Sequence, residues 1–402
     1  MIRIDRCNIL CFLLLVLFLV SVHWFYLDKI WTPIFSCVSI IFLFLLSNRH
    51  NDFRFVASSL IGVLFFYCYK LVRFPGLGVL IEPLILVIVL LLPEEKKKKV
   101  LRFLTVAFSI ITLFSIIAWI FYLLGVVDVF SQFEYRGYNL GQHPLFLVNL
   151  DIGMGILPRF QGLLLEPGHM GMICSLLLYA NSYNRKDVFS IILFVGLLLT
   201  VSLAAYVLFI IGYVLNKFSD KGKRSKGAAI LFIIVVIYVA FTLLQSTDSM
   251  LYYLLFNKVV ESENGLFNSN RYGADFLQFY NNQLSDPFVA LFGLGGAFDV
   301  ERFPGNSGYK VGVISMGWVG ILILLFAYYC IAKPYHSKRC YFFLLLYVVS
   351  YIQRPYADWL AEWFIFILAM PGLSQMSNNY ISSSNNEKVL LSDRKVSCSA
   401  IS

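Results

Sequence analysis

The chain has 402 residues, of which 59% are hydrophobic and only 14% are charged. This composition excludes an ordinary soluble globular protein and is typical of a helical membrane protein. The formal net charge of +9 is assigned to cationic loops that fix membrane topology, so no nucleic-acid partner is expected.

Apolar runs recur along the whole chain and predict membrane helices, each of which needs about 20 residues to span a bilayer. The run at 189–216 is long for one helix and has basic loops on both sides, which favours a hairpin that turns near Thr200 and Ser202. We therefore predict an all-α, polytopic integral membrane protein with about twelve transmembrane helices. The runs lie at 8–27, 30–47, 55–71, 77–92, 101–127, 163–180, 189–216, 228–244, 311–332, 341–352 and 359–370.

The predicted spans divide the chain into six segments, with both termini on the cytoplasmic side. Two of the segments are larger loops on the external side. The segments are helices one to five at 1–127, a first external loop at 128–158, helices six to nine with a re-entrant start and a short hairpin at 159–244, a large external loop at 245–310, helices ten to twelve at 311–371, and a polar tail, expected to be disordered, at 372–402.

Lys70 and Arg73 fall on the external side of the predicted bundle, against the charge rule. Glu82 lies in a span close to them. Either one of the cations pairs with Glu82 inside the bundle, or the cations contact a phosphate. Near the other end of the chain, Arg354 and Asp358 are expected to pair with each other.

Ionisable residues crowd the start of the apolar run at 163–180, and such residues at membrane depth indicate a functional site. Arg159, Glu166 and His169 lie there, and Pro167 favours the first turn of a helix. A helix beginning at Pro167 is too short to span, so the residues before it are predicted to dip into the membrane as irregular backbone. The positive end of this broken helix would suit a phosphate-bearing substrate.

The external loops and the hairpin supply further polar candidates. The hydroxyls of Thr200 and Ser202 either satisfy backbone carbonyls or contact a sugar. Arg136 lies in the first loop with His143, which we interpret as a loop hydrogen-bonder rather than a base. In the second loop, 270–284 is predicted to be a helix, and Arg271 in its first turn is either an ordinary surface arginine or held there by an anion.

Glycines mark two places after this helix. Those in the stretch 292–298 permit a tight turn or a close approach of a ligand, but no strand and crossover helix frame them as a dinucleotide loop. Gly312, Gly317 and Gly320 are expected to let helices pack closely.

Two short motifs and the arrangement of spans resemble the O-antigen polymerase and ligase superfamily of bacterial envelope glycan assembly. The stretch from Arg159 to Gly168, RFQGLLLEPG, is similar to the family's Arg-x-x-Gly followed by Glu-Pro. Asn306-Ser307, nine residues and Gly317-x-x-Gly320 resemble the ligase-type pattern, except that Asn306 stands where a histidine is expected. If that histidine is a base in the ligases, Asn306 only orients or hydrogen-bonds the acceptor.

The resemblance implies a glycosyltransferase that needs no metal or cofactor, with its active site on the periplasmic side of the bacterial inner membrane. It would transfer a growing glycan from undecaprenyl pyrophosphate to a new lipid-linked repeat unit. The departing pyrophosphate calls for cations, and the attacking hydroxyl calls for a base. The predicted catalytic residues are Glu166 as first and His169 as second candidate base, with Arg159; the predicted substrate contacts are Arg271, Arg136, Asn306, Arg354, Thr200 and Ser202.

Other interpretations stay open. Glu166 could simply neutralise Arg159. A ligase that joins finished glycan to lipid A core is chemically close, but its expected histidine is missing; a flippase would need no large external loops, and a scaffold leaves Arg159 and Glu166 without a reason. The expected partners are lipid-linked repeat units and the bilayer, with a chain-length regulator and a flippase as further candidates.

Overall fold

The computed structural model describes residues 6–21, 53–135, 138–150, 158–219, 273–299, 302–303 and 308–375. In these ranges the chain is mostly helical. Short turns of 3-10 helix add Gly295–Ala297 and Lys333–Tyr335. The helices are α1 Arg6–Ser21, α2 Phe53–Arg73, α3 Leu77–Leu91, α4 Glu94–Leu123, α5 Pro167–Ala180, α6 Val188–Leu199, α7 Leu203–Ser219, α8 Ala274–Leu284, α9 Pro287–Phe292, α10 Tyr309–Ala332, α11 Lys338–Gln353 and α12 Leu360–Gln375.

Across the described ranges, three helical segments are long and apolar enough to cross a membrane by length and composition: Val56–Arg73, Glu94–Leu123 and Tyr309–Tyr335. Shorter apolar helices accompany them, among them α1, α3, α6, α7 and α12. These helices are compatible with a membrane protein. The prediction of about twelve spans is not confirmed, because several helices are shorter than a full span and the runs 30–47 and 228–244 lie outside the described residues.

The long run at 189–216 is a hairpin, as predicted. Helix α6 ends at Leu199 and α7 begins at Leu203. Between them Val201 has a φ of +44°, a left-handed conformation that reverses the chain within three residues. Both helices pack against α5, so the hairpin turn lies beside the start of that helix.

The segment predicted as the first external loop departs from the all-α prediction, because it contains a three-stranded antiparallel sheet in the order β1–β2–β3. The strands are β1 Ser131–Tyr135, β2 Tyr138–His143 and β3 Phe146–Asn149. Phe146, Leu147 and Val148 are buried. The Leu147 amide donates to the carbonyl of Gly162 at 2.7 Å, which ties the sheet to the segment that leads into α5.

The predicted helix in the second loop is present as α8, and Phe276 and Tyr280 form its buried face. Its described part begins later than predicted, with Gly273 as the N-cap, and Arg271 lies outside the described residues. The polar tail after 375 lies outside the described residues.

Glycines bring the loop after α9 into close contact with α10. Gly317 has φ +68° and ψ 172° and kinks α10, and Gly293, with φ +71°, lies against it. The amide of Leu294 donates to the carbonyl of Ile314 at 2.8 Å. The close packing expected at Gly317 is confirmed, and its partner is the backbone of Leu291 and Gly293.

An ion pair on the other side of the bundle gives a pH-dependent prediction. Arg102 donates two hydrogen bonds to Asp187, at 2.7 and 2.8 Å, and these bonds lower the pKa of Asp187. The pair therefore stabilises the fold above the unfolded-state pKa of about 3.9, and that contribution is lost as the pH falls through the lower folded-state pKa. Asp187→Asn should reduce the free energy of unfolding by about 0.2–1 kcal/mol at neutral pH, since the arginine is half-exposed.

Thermal unfolding of the purified wild type and of Asp187→Asn, measured from pH 7 downward, checks this. The difference in melting temperature should shrink at acid pH. A difference that grew on acidification would contradict the assignment.

Candidate functional site

Helix α5 begins at Pro167, as the sequence predicts, and has only 14 residues. Glu166 is its N-cap residue in an extended conformation, and its carbonyl accepts from the amides of His169 at 3.1 Å and Met170 at 3.2 Å. The Glu166 carboxylate makes no capping hydrogen bond, so it is available for another partner. Residues 158–166 precede the helix as irregular chain.

That partner is Arg354, at the C-cap of α11, whose Nη1 donates to Oε2 of Glu166. Both side chains are partly exposed, at 17% for Arg354 and 25% for Glu166. The guanidinium lies over Gly168, where a Cβ atom would come within 2.8 Å of Nη2, so glycine makes room for the pair. The predicted Arg354–Asp358 pair is wrong, and Glu166 is paired with Arg354 rather than serving only to neutralise Arg159.

Asp358 pairs instead with Lys70 of α2. The Lys70 Nζ atom is 3.3 Å from Asp358 Oδ2 and 3.4 Å from Glu82 Oε2. Tyr67 donates its hydroxyl to the same Glu82 oxygen at 3.0 Å. The predicted pairing of a cation with Glu82 is confirmed, whereas the contribution of Asp358 was missed. Arg73 donates to the carbonyl of Gly293 and so helps to hold the loop after α9.

A third contact joins His169 of α5 to Glu362 of α12. Glu362 was not identified as a site residue from the sequence. Both side chains are almost completely buried, and Nε2 of His169 is 3.8 Å from Oε1 of Glu362. The imidazole packs against the rings of Tyr356 and Trp359. The sequence does contain a feature that could have identified Glu362. It is an acidic residue inside the apolar run 359–370, and ionisable side chains are rare in such runs and indicate function.

One short segment, residues 354–362, thus joins all three contacts. Arg354, Asp358 and Glu362 occur at every fourth residue, and each meets an ionisable side chain of α5 or α2. The most accessible contact is the Glu166–Arg354 pair. We take this pair as the centre of the candidate site, with the other two contacts supporting it.

Arg159 lies against the hairpin turn, where its Nη1 donates to the carbonyl of Val201 at 3.3 Å. The next residue, Phe160, donates its amide to the carbonyl of Leu199 at 3.1 Å. The hydroxyl of Thr200 is buried and donates to the carbonyl of Leu197 at 2.7 Å, which supports its structural interpretation. Ser202 is also buried. The hairpin therefore shapes the irregular chain before α5.

The remaining predicted residues are placed as follows. Arg136, Arg271 and Asn306 lie outside the described residues. The Nδ1 atom of His143 accepts from the amide of Leu145 at 3.2 Å, which confirms its role as a loop hydrogen-bonder. Partial burial lowers the pKa of His143.

The ionisable side chains at the candidate site are cations, carboxylates and one imidazole. In the part of the chain that the structure describes, no three His, Cys, Asp or Glu side chains gather as a metal site would require. What the described residues can do chemically is accept a proton at Glu166 and bind an anion at Arg354. Comparison of the chain with protein-family models, with curated proteins and with solved structures finds no match.

Proposed function

We propose that the protein is a polymerase of O-antigen or of a related surface polysaccharide. It transfers a growing glycan from undecaprenyl pyrophosphate to a new lipid-linked repeat unit on the periplasmic side of the bacterial inner membrane. The observation that carries the proposal is the partly exposed Glu166–Arg354 pair at the start of a short, broken helix within an apolar bundle.

The chemistry needs a base and a cation close together, and the pair supplies both. The hydroxyl oxygen of the incoming repeat attacks the anomeric carbon of the growing chain, and its proton passes to Glu166. The bond from that carbon to the pyrophosphate breaks, and the pyrophosphate leaves with the electron pair. Arg354 stabilises the charge that develops on the leaving group, because a guanidinium matches phosphate oxygens with two parallel hydrogen bonds.

The Glu166–Arg354 ion pair, which forms without substrate, also predicts the order in which donor binding and proton transfer occur. The carboxylate and a pyrophosphate compete for the same guanidinium, so binding of the donor draws Arg354 toward phosphate and releases Glu166 to accept a proton. The backbone amides at the start of α5 favour negative charge at the same place. Arg159, at the hairpin turn beside this helix start, adds a second cation.

Deletion of the gene in its own host, followed by gel analysis of surface glycan and lipid-linked intermediates, tests the function. A core capped by a single repeat is the expected result. Bare core with long lipid-linked polymer on the outside would mean a ligase, and bare core with single repeats facing the cytoplasm would mean a flippase. An unchanged ladder would exclude all three.

A further inference from the structure

Glu362 lies in the first turn of α12, and only 1% of its surface is exposed. Neither of its carboxyl oxygens has a hydrogen-bond partner among the described residues, and the same holds for Nε2 of His169, 3.8 Å away. The rings of Tyr356 and Trp359 pack on the imidazole at centroid distances of 4.9 and 4.8 Å. An acid and an imidazole therefore face each other inside an aromatic enclosure.

Three other ionisable side chains around this pair have partners of their own, two of them backbone carbonyls. Tyr347 of α11 donates its hydroxyl to the backbone carbonyl of Glu362 at 2.8 Å, and Tyr328 of α10 donates to the carbonyl of Ala357. Asp358 is bonded to Lys70 of α2. Within the described ranges, no lysine or arginine comes within ion-pair distance of the Glu362 carboxyl group.

A buried carboxylate without hydrogen bonds is strongly unfavourable, so such a group holds a proton instead. A protonated carboxyl group has one O–H to donate, and a neutral imidazole has one nitrogen that accepts. The observed 3.8 Å between these atoms is longer than a hydrogen bond, so the bond requires one of the two side chains to rotate toward the other. The ring proton of His169 then lies on Nδ1, because the bond to Nε2 fixes the tautomer.

We propose that Glu362 is a positioning residue: its protonated carboxyl group donates to Nε2 of His169 and fixes the first turn of α5. The amide of His169 is bonded to the carbonyl of Glu166 at 3.1 Å, so the position of the imidazole determines where Glu166 meets Arg354. The role in glycan transfer rests on the proposed function. The protonated, hydrogen-bonded state of Glu362 does not.

Infrared spectroscopy of the full chain, purified into lipid nanodiscs at neutral pH, tests that state directly. The wild type should show the carbonyl stretch of a protonated carboxyl group, shifted in heavy water. The band should disappear in Glu362→Gln and persist in Glu166→Gln, because Glu166 is ion-paired. A wild type without the band, or a band unchanged in Glu362→Gln, would overturn the proposal.

A second comparison tests positioning in cells that lack the chromosomal gene. Glu362→Gln keeps an N–H that can donate to Nε2 of His169, whereas Glu362→Leu has no donor. The glutamine variant should restore the glycan ladder, and the leucine variant should lose it. Loss with both variants at wild-type membrane levels would contradict a role for the hydrogen bond alone.

The infrared band tests the protonated Glu362, and the glycan ladder tests the polymerase function, so the two proposals can fail separately. If Glu362→Leu does not fold, the infrared comparison decides on the buried pair by itself. If gene deletion leaves the ladder unchanged while the infrared band behaves as expected, the polymerase proposal fails and the protonated Glu362 stands.

Discussion

Glu166→Gln should lower polymer formation by a factor of about 10²–10⁴, the usual loss when a general base is removed. The amide has nearly the shape of the carboxylate and can still accept from Arg354, so the start of α5 keeps its geometry. It cannot accept a proton from the acceptor hydroxyl. The glycan ladder of a deletion strain that carries the variant, scored against the amount of protein in the membrane, measures the effect.

Glu95→Gln is the matched control. Glu95 also pairs with a cation, Lys98, but it is largely exposed and belongs to the first turn of α4, away from the candidate site. Its replacement should leave the ladder unchanged. A full ladder from Glu166→Gln at normal membrane levels would exclude Glu166 as an essential base and leave it as the structural partner of Arg354.

Gly317→Ala should be one of the most damaging small substitutions in the described part of the chain. The backbone conformation of Gly317 is one that is open almost only to glycine and costs other residues about 1–3 kcal/mol. A Cβ atom there would also lie 2.3 Å from the carbonyl oxygen of Leu291. Because that contact is with backbone, relieving it adds about 1–3 kcal/mol.

The expected result is a loss of roughly 2–6 kcal/mol in the free energy of unfolding, seen as a lower melting temperature or a failure to accumulate in the membrane. Gly78→Ala is the control, since a Cβ atom at Gly78 meets nothing within 4 Å. Equal melting temperatures for the two variants would show that the contact between Gly317 and the loop after α9 is absent.

Local patterns predicted the elements that depend on local chemistry. Pro167 favours the start of α5, because proline suits the first turn of a helix, where its missing amide hydrogen leaves no bond unmade. Basic loops on both sides of 189–216 required the hairpin. The short strands at 131–149 were missed because a few residues each give little periodicity, and their pairing depends on the neighbouring strands.

The partners in the candidate site were harder to predict. Glu166 and Arg354 are 188 residues apart, and nothing in the sequence around either residue specifies the other. Proximity in the chain favoured pairing Arg354 with Asp358, but the chain from Arg354 leaves α11 in an extended conformation. The two side chains therefore meet different helices.

If the protein is the proposed polymerase, the length of α5 bears on how its lipid-linked substrate reaches Glu166. At 1.5 Å per residue, its 14 residues extend about 21 Å, against about 30 Å for the hydrocarbon layer. Arg185 and Lys186 follow the helix and favour its end near the cytoplasmic boundary. In that orientation the Glu166 carboxylate would lie several ångströms beneath the headgroups, and the polyprenyl donor of the proposed reaction would enter sideways from the lipid, with its isoprenoid tail never leaving the bilayer.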